Sequence, residues 1–319
     1  MEYTRLGKSG LKISKVIFGA MSFGSSEWQD WVINEDEALP LLKHAYDLGL
    51  NTWDTADTYS NGKSEEIIGK ALKQYSIPRN KVVILSKCYF GVAEDGSQPL
   101  ISALSTNDGE MVNRVGLSRK HILDAVDKSV TRLGTYIDVL QIHRLDRDTP
   151  REEIMRALND VVESGKVRYI GASSMAAWEF QTLQNIAEKK GWHKFISMQN
   201  YYNLLYREEE REMIPYCRDT GVGLIPWSPI ARGALARPLN DRGTTRENSD
   251  KMLKALIRSK ETIAWCLSKD SVNPIIGLSS KERIEQAVEA VKFASSGKLS
   301  AEEIAYLEEG YAPKVVQGY

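Results

Sequence analysis

Short apolar runs and amphipathic stretches alternate along the chain. Apolar, often β-branched runs occupy Val16–Phe18, Leu50–Trp53, Val82–Leu85, Ile137–Ile142, Arg168–Ala172, Phe195–Met198, Gly223–Trp227 and Asn273–Ile276. The segments between them carry helical spacing. Glu35–Leu48 places Leu39, Leu42, Ala45 and Tyr46 on one face, and Ser64–Tyr75 does the same with Ile67, Ile68, Ala71 and Leu72. Ser118–Leu133 opens on a residue suited to an N-cap. Arg151–Ser164 follows Thr149-Pro150, read as a cap and first-turn pair. Ala176–Lys190 and Glu208–Thr220 run up to Gly191 and Gly221, residues that favour a left-handed helix end. Lys281–Val291 reads as the helix after the last run.

Strands alternating with helices pair in parallel through right-handed crossovers. A closed barrel and a doubly wound sheet both satisfy that pattern. Polar residues follow nearly every apolar run here, whereas a doubly wound sheet gathers its ligand groups at one switch point. No G-x-G-x-x-G follows the first run, where Gly19-Ala20-Met21-Ser22-Phe23-Gly24 stands. The expectation is an α/β fold, a (β/α)8 TIM barrel formed by residues 1–319 as one domain. Tyr3–Arg5 and Leu11–Ser14, around Gly7-Lys8-Ser9-Gly10, read as a hairpin able to plug the lower mouth. Three long connections, Ala20–Asn34, Cys88–Leu117 and Ser228–Asn248, all follow strands and belong at the C-terminal rim.

Composition narrows the function. Of the 319 residues, 42% are hydrophobic and 27% charged, and the formal net charge is −1. That balance disfavours nucleic acid or an anionic membrane as the main partner. Cys88, Cys217 and Cys266 are few and far apart, without disulfide or zinc spacing. The polar start lacks the apolar core of a secretory signal, and no apolar run approaches the roughly 20 residues of a membrane span. A cytoplasmic location is the default expectation; composition leaves the oligomeric state open.

The chemistry concentrates at strand ends. Asp54 and Tyr59 follow the second run, Lys87 the third and His143 the fourth. On a barrel these positions converge on one rim. A tyrosine has a pKa of about 10, and a neighbouring Lys87 ammonium is expected to lower it. Asp54 would hold Lys87 charged, His143 would orient a carbonyl, and Tyr59 would deliver the proton. Taken singly, each residue is more often structural: a helix cap, loop packing, a satisfied histidine or a solvated lysine. Their joint occurrence favours the catalytic reading. Asp54 and Asp57 as a metal pair are rejected, because no third ligand stands at suitable spacing.

Several motifs resemble the aldo-keto reductases. Asp54-Thr55-Ala56-Asp57-Thr58-Tyr59 with Ser64-Glu65 and Ile68-Gly69 resembles their opening signature. Gly165–Ser174 and Trp227–Gly233 resemble two further signatures, and Ile275–Ser280 leading to Arg283 resembles the cofactor-tail segment. The likeness runs from Arg5 to about Leu299 and points to the aryl-alcohol-dehydrogenase and general-aldehyde branch. It implies the same roles for Asp54, Tyr59, Lys87 and His143, and NADPH-dependent reduction of aldehydes or ketones. Relatives carry an additional helix before the stretch matching Ala264–Leu267. Here Arg258–Thr262 runs almost directly into Ile263, so that insertion reads as absent. Leu253, Leu256, Ile257, Ala264 and Leu267 can line one continuous helix.

Cofactor candidates follow. Ser173, Ser174 and Gln199 suit a nicotinamide carboxamide, although Ser173 alone could be a helix cap. Trp227 suits ring stacking, with ordinary aromatic core as the alternative. Arg232 and Gly233 suit a pyrophosphate. Ser279 and Arg283, at a helix start, suit a ribose 2′-phosphate, which favours NADPH/NADP+ over NADH. Ser228, Ile230 and Gly277 lie within the resembling motifs and are carried with them. Trp28, Trp31, Tyr89 and Phe90 suggest a pocket for aromatic or bulky carbonyl compounds, with loop anchoring an equal alternative. A nicotinamide-binding redox sensor or regulatory subunit with little turnover is the second reading.

Overall fold

The computed structural model describes residues 1–93, 107–236, 261–297 and 299–317. Two short strands, β1 (Tyr3–Arg5) and β2 (Lys12–Ser14), pair antiparallel as the predicted hairpin. Eight further strands follow: β3 (Ile17–Gly19), β4 (Thr52–Asp54), β5 (Val83–Cys88), β6 (Ile137–Ile142), β7 (Val167–Ser173), β8 (Phe195–Gln199), β9 (Gly223–Leu224) and β10 (Ile275–Gly277). All pair in parallel, in the spatial order β10-β3-β4-β5-β6-β7-β8-β9. Parallel bridges Leu224–Val272 and Trp227–Ile275 join the two ends of that order. The sheet therefore curls round into the expected (β/α)8 barrel.

Helices α1 (Glu35–Asp47), α2 (Lys63–Gln74), α3 (Arg119–Leu133), α4 (Arg151–Glu163), α5 (Ala177–Lys190) and α6 (Met213–Thr220) alternate with the strands. α7 (Glu261–Leu267) precedes β10, and α8 (Lys281–Ser295) and α9 (Ala301–Glu309) follow it. The Ser118 hydroxyl accepts the His121 N–H and caps α3, and Gly191 and Gly221 end α5 and α6 in left-handed conformation, as read from the sequence.

Three details differ from expectation. Thr149 does not cap α4; its hydroxyl and N–H both turn back to Asp146. Glu208–Thr220 is not one helix: a 3-10 turn at Glu208–Glu210 precedes α6, whose third residue is Pro215. The seventh strand is continuous only over Gly223–Leu224: Pro226 has no N–H to donate and contributes only its carbonyl, to Ile275, and pairing resumes at Trp227, whose N–H donates to the Asn200 carbonyl. Of the continuous helix read through Leu253, Leu256 and Ile257, only the part in α7 falls within the described residues.

Two apolar layers hold the fold. The larger lies between sheet and helices and includes the fully buried Phe18, Trp53, Ile84, Leu140, Ile170 and Phe180. The smaller fills the lumen with Ile17, Leu85, Val139, Ile225 and Ile275, and Leu6 and Ile13 of the hairpin join it. The hairpin is thus the floor of the barrel. It reaches that position through Gly7, whose φ is +57° and whose missing Cβ would lie 2.3 Å from the Gly221 carbonyl oxygen. Any side chain there would meet backbone, so only glycine permits the approach.

Candidate functional site

The site stands on the upper ends of β4, β5 and β6. Side chains alternate across a strand. On β6 that phase puts Val139 and Gln141 into the lumen, with His143 just beyond the strand end; on β5 it puts Leu85 and Lys87 there. The lower of each pair is apolar and packs on the floor, and the upper is polar.

Lys87 is buried, and its ammonium makes three contacts. It donates to Asp54 Oδ2 at 2.6 Å, to the Thr55 carbonyl at 2.9 Å and to Tyr59 Oη at 3.1 Å. An ammonium has three donors, so this set uses them all. Gln141 and Gln199 each donate to Asp54 Oδ1 at 3.0 Å, and Gln199 also donates to Gln141 Oε1 at 2.8 Å. Both Asp54 oxygens are therefore satisfied inside the protein. Burial works against the Lys87 charge, yet Asp54 and Tyr59 outweigh it and raise the lysine pKa. A buried pair that loses one partner typically costs about 3–5 kcal/mol.

Tyr59 departs from the sequence expectation. Burial is the largest influence on its phenol and raises the pKa above 10; the Lys87 charge works in the opposite direction and does not prevail. Asp54, already bound to Lys87, also pushes the phenol upward and offsets part of the lysine's pull. The ring belongs to a small cluster with Trp28, Val32 and Ala56, and Trp31 packs against it. Trp28 and Trp31 meet edge-on at 6.3 Å.

His143 is buried, and its ring stands edge-on to Tyr59 at 5.8 Å and to Phe90 at 4.9 Å. Phe90 in turn meets Tyr89 at 5.0 Å. His143 Nδ1 has no hydrogen-bond partner among the described residues. Burial, with the Lys87 and Arg144 charges, holds the imidazole pKa well below its usual value. A neutral ring retains one N–H to donate.

A second group lies at the ends of β7, β8 and β9. Ser173 Oγ donates to the Gln199 carbonyl at 2.7 Å and lies 3.2 Å from Ser174 Oγ. The Ser174 N–H reaches Asn200 Oδ1 at 3.0 Å, and the Trp227 indole donates to Ser174 Oγ at 3.2 Å. Tyr201 stacks on Trp227 at 4.5 Å, and the Arg232 guanidinium lies 5.9 Å from the same indole. The Ser228 carbonyl accepts from Asn203 at 3.0 Å. Ser228, Arg232 and Gly233 all have positive φ, so the chain turns sharply beyond Trp227. Ile230 instead packs against the outer core.

Gly277 ends β10, beside the Trp227–Ile275 bridge. Arg283 Nη1 donates to Ser279 Oγ at 2.7 Å, and the Ser280 hydroxyl caps α8. These residues form a separate polar patch at a helix start.

Gln141, Asn200 and Tyr201 were not picked out from the sequence. Alternation along Ile137–His143 would have found Gln141, which shares the phase of His143. Asn200 and Tyr201 lie beyond a strand end and carry no comparable signal.

Nicotinamide chemistry can be weighed against this donor set. A carboxamide needs both donors and acceptors, which the Ser173 and Ser174 hydroxyls and the Asn200 amide supply together. One face of the Trp227 indole is covered by Tyr201, and the residue as a whole is only half-buried. The residues fit the group.

Comparison with known proteins agrees. Residues 15–312 match the model of the aldo/keto reductase family. Versiconal hemiacetal acetate reductase of Aspergillus parasiticus is 64% identical over 99% of this chain and 98% of its own length. Putative aryl-alcohol dehydrogenases of Schizosaccharomyces pombe and Saccharomyces cerevisiae are 53% and 50% identical, over 99% and 98% of the chain and 97% and 98% of their lengths. The first alignment spans 344 positions against the 319 residues here, so that relative carries residues this chain lacks. With the barrel, the strand-end cluster and these matches together, the chain belongs to the aldo/keto reductase family.

Proposed function

We propose that the protein reduces the carbonyl group of aldehydes or ketones with NADPH, with Tyr59 as proton donor. The observation that carries this reading is the contact chain Asp54–Lys87–Tyr59, with the His143 ring beside the phenol. When bound, the reduced nicotinamide supplies the hydride.

The residues divide the remaining work. His143 donates a hydrogen bond from its neutral ring and orients the carbonyl oxygen toward Tyr59. Tyr59 releases its proton as negative charge grows on that oxygen. Lys87 stabilises the phenolate left behind, and Asp54 keeps Lys87 charged and in place. Gln141 and Gln199 fix Asp54. Ser173, Ser174, Gln199 and Trp227 form the nicotinamide seat, with Ser228 and Ile230 shaping the turn beside it. Arg232 and Gly233 would hold the cofactor's pyrophosphate, with Gly277 among the cofactor-binding residues, and Ser279 and Arg283 would take the ribose 2′-phosphate. Trp28, Trp31, Tyr89 and Phe90 wall the substrate pocket, and favour aromatic or bulky carbonyl compounds.

The test is consumption of NADPH in the presence of 4-nitrobenzaldehyde, followed by absorbance of the reduced nicotinamide. Turnover lost in Tyr59→Phe supports the reading. Tight cofactor binding without turnover of any of a panel of aldehydes and ketones would overturn it in favour of a cofactor-binding sensor.

A further inference from the structure

Arg144 follows His143 directly, and no carboxylate among the described residues pairs with it. Its Nη1 donates to the His143 carbonyl at 2.7 Å, and its guanidinium lies 5.9 Å from the Phe90 ring centre. Phe90 and Tyr59 both stand edge-on to His143. The cation is thereby tied to the aromatic group around the proposed proton donor. A guanidinium has five N–H donors, and that single carbonyl engages one of them.

Its neighbours are paired. Arg147 holds Glu179 through two bonds of 2.8 and 2.9 Å. Asp146 accepts from the N–H groups of Leu117, Asp148 and Thr149 and from the Thr149 hydroxyl. The nearest acidic side chain in sequence is thus committed to the loop. Arg144 is half-buried, and burial pulls its pKa down, with the Tyr59 and Tyr89 hydroxyls working the other way. Arginine nevertheless keeps its charge in proteins. A partly desolvated cation with no carboxylate partner among the described residues is a disfavoured arrangement that an incoming anion relieves.

Resting on the carbonyl-reductase reading, we propose that Arg144 recognises the substrate: the preferred carbonyl compounds carry a carboxylate, which Arg144 binds while Tyr59 and His143 hold the carbonyl oxygen. Phe90, between guanidinium and imidazole, would lie against the substrate's intervening ring. The planar guanidinium fork suits a carboxylate through two parallel bonds, which a lysine cannot reproduce.

The experiment compares benzaldehyde with 4-carboxybenzaldehyde, using NADPH and the wild type, Arg144→Leu and Arg144→Lys. Calorimetry with 4-(hydroxymethyl)benzoate and benzyl alcohol, in the presence of NADPH, with which an alcohol has no hydride acceptor, gives a readout that needs no turnover. In the wild type the carboxylated aldehyde should have the higher kcat/KM, by about tenfold or more. That ratio should fall to near one in Arg144→Leu and lie between in Arg144→Lys. The carboxylated alcohol should bind more tightly than benzyl alcohol, and Arg144→Leu should erase the difference. A wild type that turns over both aldehydes without preference overturns the role of Arg144 and leaves the reductase reading standing. A ratio unmoved by Arg144→Leu does the same. Arg144-dependent binding of the carboxylated alcohol, with no aldehyde turned over, would sink the reductase reading alone.

Discussion

The Lys87 ammonium donates to the Tyr59 phenol oxygen across 3.1 Å, although the two residues are 28 positions apart in the chain. They meet because β4 and β5 are adjacent in register, with Asp54 opposite Leu85. The contact lies above the apolar floor, and both groups are buried.

Removing the phenolic hydroxyl tests the proton-donor role most directly. Tyr59→Phe is expected to lower kcat by about 10²–10⁴-fold, the usual contribution of a general acid. NADPH affinity, read by fluorescence titration, should change little. An equal loss of affinity and rate would place Tyr59 in cofactor binding instead.

The pH dependence of reduction follows from the raised Tyr59 pKa. The donor form is the protonated phenol, so a pKa pushed above 10 keeps it available through neutral and mildly alkaline solution. We expect kcat for reduction to stay level from roughly pH 6 to 9 and to fall only above about 10. His143, whose pKa is lowered, stays neutral over the same range. A fall in kcat centred near neutrality would contradict both assignments. Such profiles report the cofactor-bound enzyme and are read from saturating rates.

Asp57 supplies a stability test beside the site, where its N–H donates to the Lys87 carbonyl at 3.1 Å. Its carboxyl is buried, and among the described residues no side chain hydrogen-bonds to either oxygen. Burial, then the Glu65 charge, raises its pKa well above the carboxylate range. The folded state therefore holds a proton that the unfolded chain has released, and stability falls as pH rises from about 4 through the folded pKa. Asp57→Asn removes that penalty. Its urea midpoint relative to wild type should be higher at pH 8 than at pH 5, and a difference independent of pH would sink the argument.

Cofactor choice is tested at α8. Arg283→Ala should weaken NADPH by about tenfold or more, the scale of a lost charge-assisted hydrogen bond, while NADH changes little. An unchanged preference, measured by the ratio of the two dissociation constants, would move the 2′-phosphate site elsewhere.

The barrel was legible because it rests on local signals repeated many times. Each strand is a short apolar run, and Gly191 and Gly221 mark helix ends through their backbone freedom. Asp54, Lys87 and His143 were legible through their place just after such runs. What escaped was non-local. Gln141 is an unremarkable glutamine until the curvature of the sheet brings β6 and β8 to the same carboxylate. The Tyr59 pKa was misjudged for a related reason: adjacency to a cation is readable from motifs, but the depth of burial is set by Trp28 and Val32 from another loop. Thr149 was misread because Asp146, three residues earlier, competes for its hydroxyl.

The antiparallel ribbon below the strands makes the reaction chamber one-sided. Leu6 and Ile13 pack in one apolar cluster with Leu85 and Val139, so among the described residues the lumen below Lys87 is filled by apolar side chains. On the proposed reaction, the protons that reload the phenol, like substrate and product, would then come and go at the upper rim, where Tyr59 and His143 stand. Replenishment of the donor and release of product would therefore compete for the same end of the barrel.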